Sequence, residues 1–202
     1  DYILFFGQSP DRWELNESNQ LFEFHKHLYS DKTYYFLTIS TSIQIERKRI
    51  LQKDIETNYS GTITTFNDYQ VHEKENINLI GSGSVWYGEI FEIEKSHFIP
   101  FNFNSPEFSS PAYIKSSVAA RSLNPSTFTI NLNNQNIQQI NVGNIVTTYA
   151  TAYAKTSVGS TSFSLPSSSF DVRVDHNTTA SNSIGWLDYI EINLRSTLNM
   201  HN

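Results

Sequence analysis

The chain contains no cysteine. That absence excludes a disulfide framework, a thiolate-ligated metal and a thiol nucleophile within these residues. Charge is scarce as well, with only 17% of residues being Asp, Glu, Lys or Arg. No stretch approaches the run of about 18 apolar residues that a membrane-spanning helix requires. Helical periodicity is nearly absent too, so a bundle of amphipathic helices is not expected. The net charge of −6 gives no global attraction to nucleic acid or to an anionic membrane. No signal peptide is recognised, because the chain opens on Asp1-Tyr2-Ile3-Leu4-Phe5-Phe6. An opening inside an aromatic strand reads as the start of an excised fragment, with that strand continuing from something upstream.

What is present favours strands. The 202 residues suffice for one large β domain or two small ones. Apolar residues make up 38%, but fourteen Phe, eleven Tyr and three Trp bring enough surface for a real core. Ser, Thr and Asn fill the polar positions, which suits solvated strand faces better than helix surfaces. Charge is uneven along the chain. Residues 1–100 carry fifteen acidic and nine basic side chains, residues 101–202 five of each, and none lies between Ser122 and Ala154. That shift near residue 100 marks two sub-units of structure or two sheets of one. The expected organisation is N-terminal strands over 1–70, belonging in part to a preceding module, and a jelly-roll-like sandwich over 71–202.

Period-two alternation recurs along the chain. Strands are expected at Tyr2–Gly7, Leu21–His25, Thr33–Ser40, Ile43–Ile50 and Val85–Glu94. The second pairs with the third across Ser30-Asp31-Lys32, and Arg47-Lys48-Arg49 guards an edge. Val71–Asn78 is the one place where a short helix is expected. Cleaner strands follow at Ala112–Ala120, Phe128–Leu132, Ile145–Tyr153, Phe163–Leu165, Phe170–Val174 and Ile190–Leu194. Between them, Asn131–Asn141 has eight Asn or Gln in eleven residues and reads as a polar strand-turn-strand. Many strands punctuated by Gly, Ser, Asn and Pro predict an all-β fold, an antiparallel β-sandwich of jelly-roll type with extra N-terminal strands.

Candidate chemistry is thin. His72-Glu73 opens like a zinc-protease helix, but Asn76 stands where a second His is needed. His25 and His27 share a strand face without a carboxylate pattern around them. Gly81-Ser82-Gly83-Ser84 precedes a strand rather than a helix and lacks the Walker lysine, so it reads as a turn. Asp171, Arg173 and Asp175 point one way from a strand, as an ion-pair ladder does. With Asp188 and Glu191, Asp171 and Asp175 are also the candidate ligands of a structural calcium, the one cofactor the sequence offers. Trp13, Trp86 and Trp186 are candidates for stacking on sugar rings, against the plainer reading as core. No Ser-His-Asp order stands out, and the sequons at Asn16, Asn58 and Asn177 are expected by chance in so Asn-, Ser- and Thr-rich a chain.

Five stretches occurring in order carry a resemblance: DYILFFGQSPDRW (1–13), HLYSDKTYYFLTIS (27–40), HEKENINLIGSGSVWYGEIF (72–91), AARS (119–122) and GWLDYIEINLRSTLNM (185–200). Together they resemble the region preceding the peptidase domain in PorU-type proteins of Bacteroidetes. These are gingipain-like cysteine peptidases, the sortases of the type IX secretion system. The resemblance departs at Ser84-Val85, where the family has a basic residue ahead of the aromatic pair. It implies a non-catalytic accessory domain of an exported, periplasmic or surface protein. The implied partners are the downstream peptidase domain in the same chain and outer-membrane secretion components. The family's catalytic Cys and His belong to that downstream domain, so no catalytic residue is carried onto this sequence. The alternative is a carbohydrate-binding module of a secreted multidomain enzyme.

Overall fold

A computed structural model describes residues 5–38, 54, 59–148 and 151–199. The expected strand Ile43–Ile50 lies outside the described residues, as do parts of those at Tyr2–Gly7, Thr33–Ser40 and Ile145–Tyr153. Eleven strands and no helix occur among the described residues. They are β1 Arg12–Asn16, β2 Leu21–His25, β3 Thr65–Glu73, β4 Ile90–Phe91, β5 Ser96–Asn102 and β6 Ala112–Arg121. β7 Ser126–Leu132, β8 Gln135–Val142, β9 Lys155–Phe163, β10 Ser169–Asn177 and β11 Ile184–Thr197 follow.

All the strand pairs are antiparallel. One sheet runs β5-β10-β7-β8; the other runs β3-β11-β6-β9, with β4 also on β11; β1 and β2 form a separate hairpin. Leaving out β1, β2 and β4, the eight remaining strands stand in the order first, eighth, third, sixth and second, seventh, fourth, fifth. Every step along the chain changes sheet except the β7–β8 hairpin. This is the connectivity of a jelly roll, as the strand pattern predicts.

Alternation explains why these residues pair as they do. On β6, Ala112, Ile114, Ser116, Val118 and Ala120 all point inward and are buried, as expected. They meet Phe128, Ile130 and Leu132 of β7, Val172 and Val174 of β10 and Ile190, Ile192 and Leu194 of β11 in one core. Each such side chain contributes about 1.5–3 kcal/mol when fully buried. Two glycines mark where the sheets approach closely. A Cβ at Gly185 would lie 2.6 Å from the Phe128 ring, and one at Gly159 would lie 2.8 Å from Ile140. The Asn-rich stretch forms β7, a turn and β8, with Asn133 and Asn134 at φ of 49° and 63°. Asn tolerates that left-handed conformation, which matches the twist of a tight hairpin.

Several expectations are corrected. Val71–Asn78 does not begin a helix: Val71, His72 and Glu73 extend β3 and pair with Glu191, Ile190 and Tyr189. The expected division after residue 70 therefore falls inside β3. Leu21–His25 is a strand, but it pairs with Arg12–Asn16, and no strand is assigned to residues 33–38. Val85–Glu94 is broken into the Tyr87–Ile77 bridge and the two-residue β4, where the register of β11 shifts between Leu187 and Tyr189. No strand is assigned to the described residues of 145–153; β9 starts at Lys155 instead.

Candidate functional site

The outward face of the β3-β11-β6-β9 sheet is where the chain builds its most elaborate surface. β11 presents Tyr189, Glu191 and Asn193 there, alternating with the core residues Ile190 and Ile192. The β1–β2 hairpin lies across this face. The Phe22 N–H donates to Asn193 Oδ1 at 2.7 Å, and Asn193 Nδ2 donates to the Phe22 carbonyl at 2.9 Å. Two residues along both strands, the Phe24 N–H donates to Glu191 Oε1 at 3.4 Å. β11 thus holds the free edge of β2 in register through side chains instead of through a backbone ladder. Trp13, Phe22 and Phe24 close the contact, with Trp13 and Phe22 ring centroids 4.3 and 4.4 Å from that of Tyr69.

Clefts flank the hairpin. On one side, two openings of about 360 and 320 Å³ share Asn19, Leu21, Tyr113 and Asn193, so they form one groove. On the other, a cleft of about 270 Å³ is lined by Leu28, Trp86, Lys26, Glu73, Glu75 and Asp188, among others. Its carboxylates crowd one another. Burial first, then Asp188 and Glu75, push Glu73 up to about 7. Burial also raises Asp188, against a hydrogen bond from Ser117 at 2.8 Å. Lys26 does not neutralise the group alone, because it pairs with Asp11 at 3.2 Å.

Glu89 shows the opposite behaviour. Burial disfavours its charge, but His72 Nε2 and Lys74 Nζ, each 2.9 Å from Oε1, hold it down at about 2. His72 is therefore a hydrogen-bonding partner of Glu89 here. The Gly81–Ser84 stretch is a turn, pinned by Ser82 N–H donating to Asn78 Oδ1 at 2.9 Å. His27 Nδ1 accepts from the backbone N–H groups of Tyr29 and Ser30.

The four candidate calcium ligands are not brought together. Asp171 and Asp175 lie on β10, where alternation with Val172 and Val174 turns them away from the core. Asp188 and Glu191 lie on β11 in the other sheet, so the sandwich, about 10 Å between sheets, separates the pairs. Asp175 accepts from Arg173 Nε at 3.0 Å, Asn131 Nδ2 at 2.6 Å and Ser96 Oγ at 2.5 Å, so the expected ladder is reduced to one ion pair within β10. Glu191 is 2% exposed beneath the hairpin. Among the described residues, no group of three or more His, Asp or Glu side chains is arranged to hold a metal ion.

The three tryptophans do not form a row. Trp186 is 3% exposed and packs with Tyr87 and Ala119, and Trp13 packs between Phe24 and Tyr69 with its ring tilted against both. Trp86 is the one of the three open to solvent, at 42% exposure beside the acidic cleft. Tyr113 and Asn193 are absent from the sequence-based candidates, and Glu73 enters them only through the rejected His72-Glu73 zinc motif. The alternation of β6 leaves Tyr113 as its one outward aromatic, which was the available signal.

No family model and no curated protein matches this chain. Among solved structures, the carbohydrate-binding module CBM36 in complex with calcium and xylotriose is similar at a TM-score of 0.37 and 10% identity, over 64% of this chain and 99% of that one. A CBM35 from Cellvibrio japonicus Abf62 is similar at 0.36 and 10% identity, over 68% of this chain and all of that one. No functional statement rests on likenesses of that size. The crystal structure of dimeric latent PorU from Porphyromonas gingivalis is similar at a TM-score of 0.64 and 17% identity, over 94% of this chain. This chain corresponds to 18% of that protein's length, and at such identity the likeness is one of fold: nearly the whole chain takes the fold of a region of PorU.

Proposed function

We propose that this chain is a non-catalytic accessory β-sandwich of an exported PorU-type protein. It positions or docks a gingipain-like cysteine peptidase domain downstream of it, in the periplasm or at the bacterial surface. The observation that carries this reading is the fold correspondence with a region of PorU over 94% of the chain. The ordered segments from Asp1–Trp13 to Gly185–Met200 support it from the sequence side. The surface supports it as well: Leu28, Tyr29, Tyr34, Phe36 and Leu37 are exposed, Phe36 at 95%. Apolar side chains concentrated in this way mark contact with another domain or protein. Outer-membrane secretion components are the second class of partner.

The test is to read the gene beyond Asn202, produce the domain it encodes and titrate it against the 202-residue chain. The expected result is a peptidase domain with a Cys–His pair that binds at about micromolar Kd or tighter and protects residues 28–37 from hydrogen exchange. A glycosidase or surface-anchor domain in that place overturns the proposal and brings the carbohydrate-binding module forward.

A further inference from the structure

The groove beside the hairpin has a lining the support role does not use. Its floor is the outward face of β6 and β9, where cross-strand rows place Asn193, Tyr113 and Ser162 side by side, then Glu191, Lys115 and Ser160. Its wall is the hairpin, from the Asn19 turn to Glu23. Tyr113 lies where the two openings meet, its side chain 39% exposed and its hydroxyl making no hydrogen bond to another described residue.

We infer that this groove binds a neutral oligosaccharide, with the Tyr113 ring as stacking platform and Ser160, Ser162, Lys115 and Asn19 as hydrogen-bonding groups. Three features select that chemistry. The formal charge of the lining is balanced: Lys115 and Arg195 stand against Glu23 and Glu191. Lys115 and Glu191 face each other at 3.8 Å, and Arg195 is engaged by Asn67 and Thr65. The lining therefore carries no net formal charge, so neither an anion nor a cation is favoured overall. The remaining polar groups are hydroxyls and carboxamides, which both donate and accept, as sugar hydroxyls do. A half-open aromatic ring supplies a flat apolar surface for the C–H face of a pyranose. The floor is rigid, because β6 is paired on both sides, to β11 and β9.

The site differs from the tryptophan positions, since Trp86 lies in the cleft on the other side of the hairpin. It is also independent of the peptidase-support role, which has its own binding partner and its own experiment.

The test is calorimetric titration of the full 202-residue chain with hexasaccharides of xylose, mannose, glucose and N-acetylglucosamine. At least one is expected to bind with Kd of about 1 mM or tighter. Tyr113→Ala should weaken it by about tenfold or more, Tyr113→Phe by about threefold or less, and Trp86→Ala not at all. Ser162→Leu, an outward substitution away from the core, should plug the groove and abolish binding even if Tyr113→Ala proves unstable. Failure of every hexasaccharide to bind below about 5 mM overturns the inference. So does binding that survives Ser162→Leu, or binding that is lost with Trp86→Ala.

Discussion

The two outer faces of the sandwich are made of the same kind of alternating strand, yet they are finished in different ways. On the β5-β10-β7-β8 side, the outward polar residues satisfy one another: Asp175 gathers Arg173, Asn131 and Ser96, and Asn177 Nδ2 donates to Thr129 Oγ1 at 3.1 Å. On the β3-β11-β6-β9 side, Asn193 and Glu191 point outward in the same way, but the backbone of β2 completes their hydrogen bonds. The cause lies in the neighbours. Tyr69 stands opposite Asn193 and Val71 opposite Glu191 on β3, and these apolar surfaces draw Trp13, Phe22 and Phe24 down as cover. Once covered, the interleaved polar groups are cut off from water and must be satisfied by whatever covers them. One face is finished by neighbours within its own sheet, the other by a separate hairpin about 170 residues away in sequence, as the Phe22–Asn193 separation of 171 shows.

The largest effect is expected in the core that both faces share. His176 is buried against Phe128, with ring centroids 4.6 Å apart. Burial, then the Lys95 charge, lowers its pKa from 6.5 to about 4. The unfolded chain therefore takes up this proton first. Stability is fully present above pH 6.5 and is lost as pH falls toward 4, by up to about 3 kcal/mol. Urea denaturation across that range should show the loss, and His176→Leu should flatten it.

Next in size is the covered face. Asn193→Ala removes both hydrogen bonds to Phe22 and leaves a covered N–H and C=O without partners, so a loss of about 2 kcal/mol is expected. Proteolysis between Arg12 and His25 should accelerate in the same variant; an unchanged cleavage rate would mean that the hairpin is held by its aromatic rings alone. On the bare face, Asp175→Ala should cost about 1 kcal/mol by the same denaturation assay, because Arg173 and Ser96 turn to water and only the Asn131 amide loses a partner while buried. A cost equal to that of Asn193→Ala would erase the distinction between the faces.

The smallest effect sharpens the comparison at the acidic cleft. Glu73 has its pKa raised from 4.5 to about 7 in the folded chain. Its contribution is therefore present below 4.5 and lost as pH rises through 7. Glu73→Gln should raise stability at pH 8 by less than about 1 kcal/mol, the full shift being discounted because solvent in the open cleft screens this partly exposed carboxylate, and leave it unchanged at pH 4. Thermal melts at the two pH values check this.

The strands legible in the sequence are those with one apolar face. β6, β7 and β10 alternate so regularly that Ala112 through Ala120 and Phe128 through Leu132 could be assigned to the core directly. β9 was not legible, because KTSVGSTSF shows little apolar alternation. Its Gly159 is required by the nearness of Ile140, a contact made across the sandwich. Val71–Asn78 looked helical because its charged residues are locally indifferent; pairing with β11 decided otherwise. The candidate sites suffered in the same way. Asp171 with Asp175, and Asp188 with Glu191, are near in sequence within each pair, but the strand order puts the pairs on different sheets. Trp186 looked as available as Trp86 until packing with Tyr87 and Ala119 buried it.

Composition and alternation by themselves determined an all-β sandwich with an aromatic core and no thiol chemistry, because both are local properties of which side chains can share one strand face. The hairpin over β11, the groove beside Tyr113 and the opposite titrations of Glu73 and Glu89 were decided by tertiary structure alone. Each depends on which distant strand lies alongside, since hydrogen bonding and charge respond to neighbours in space, and strand order, not sequence, supplies those neighbours.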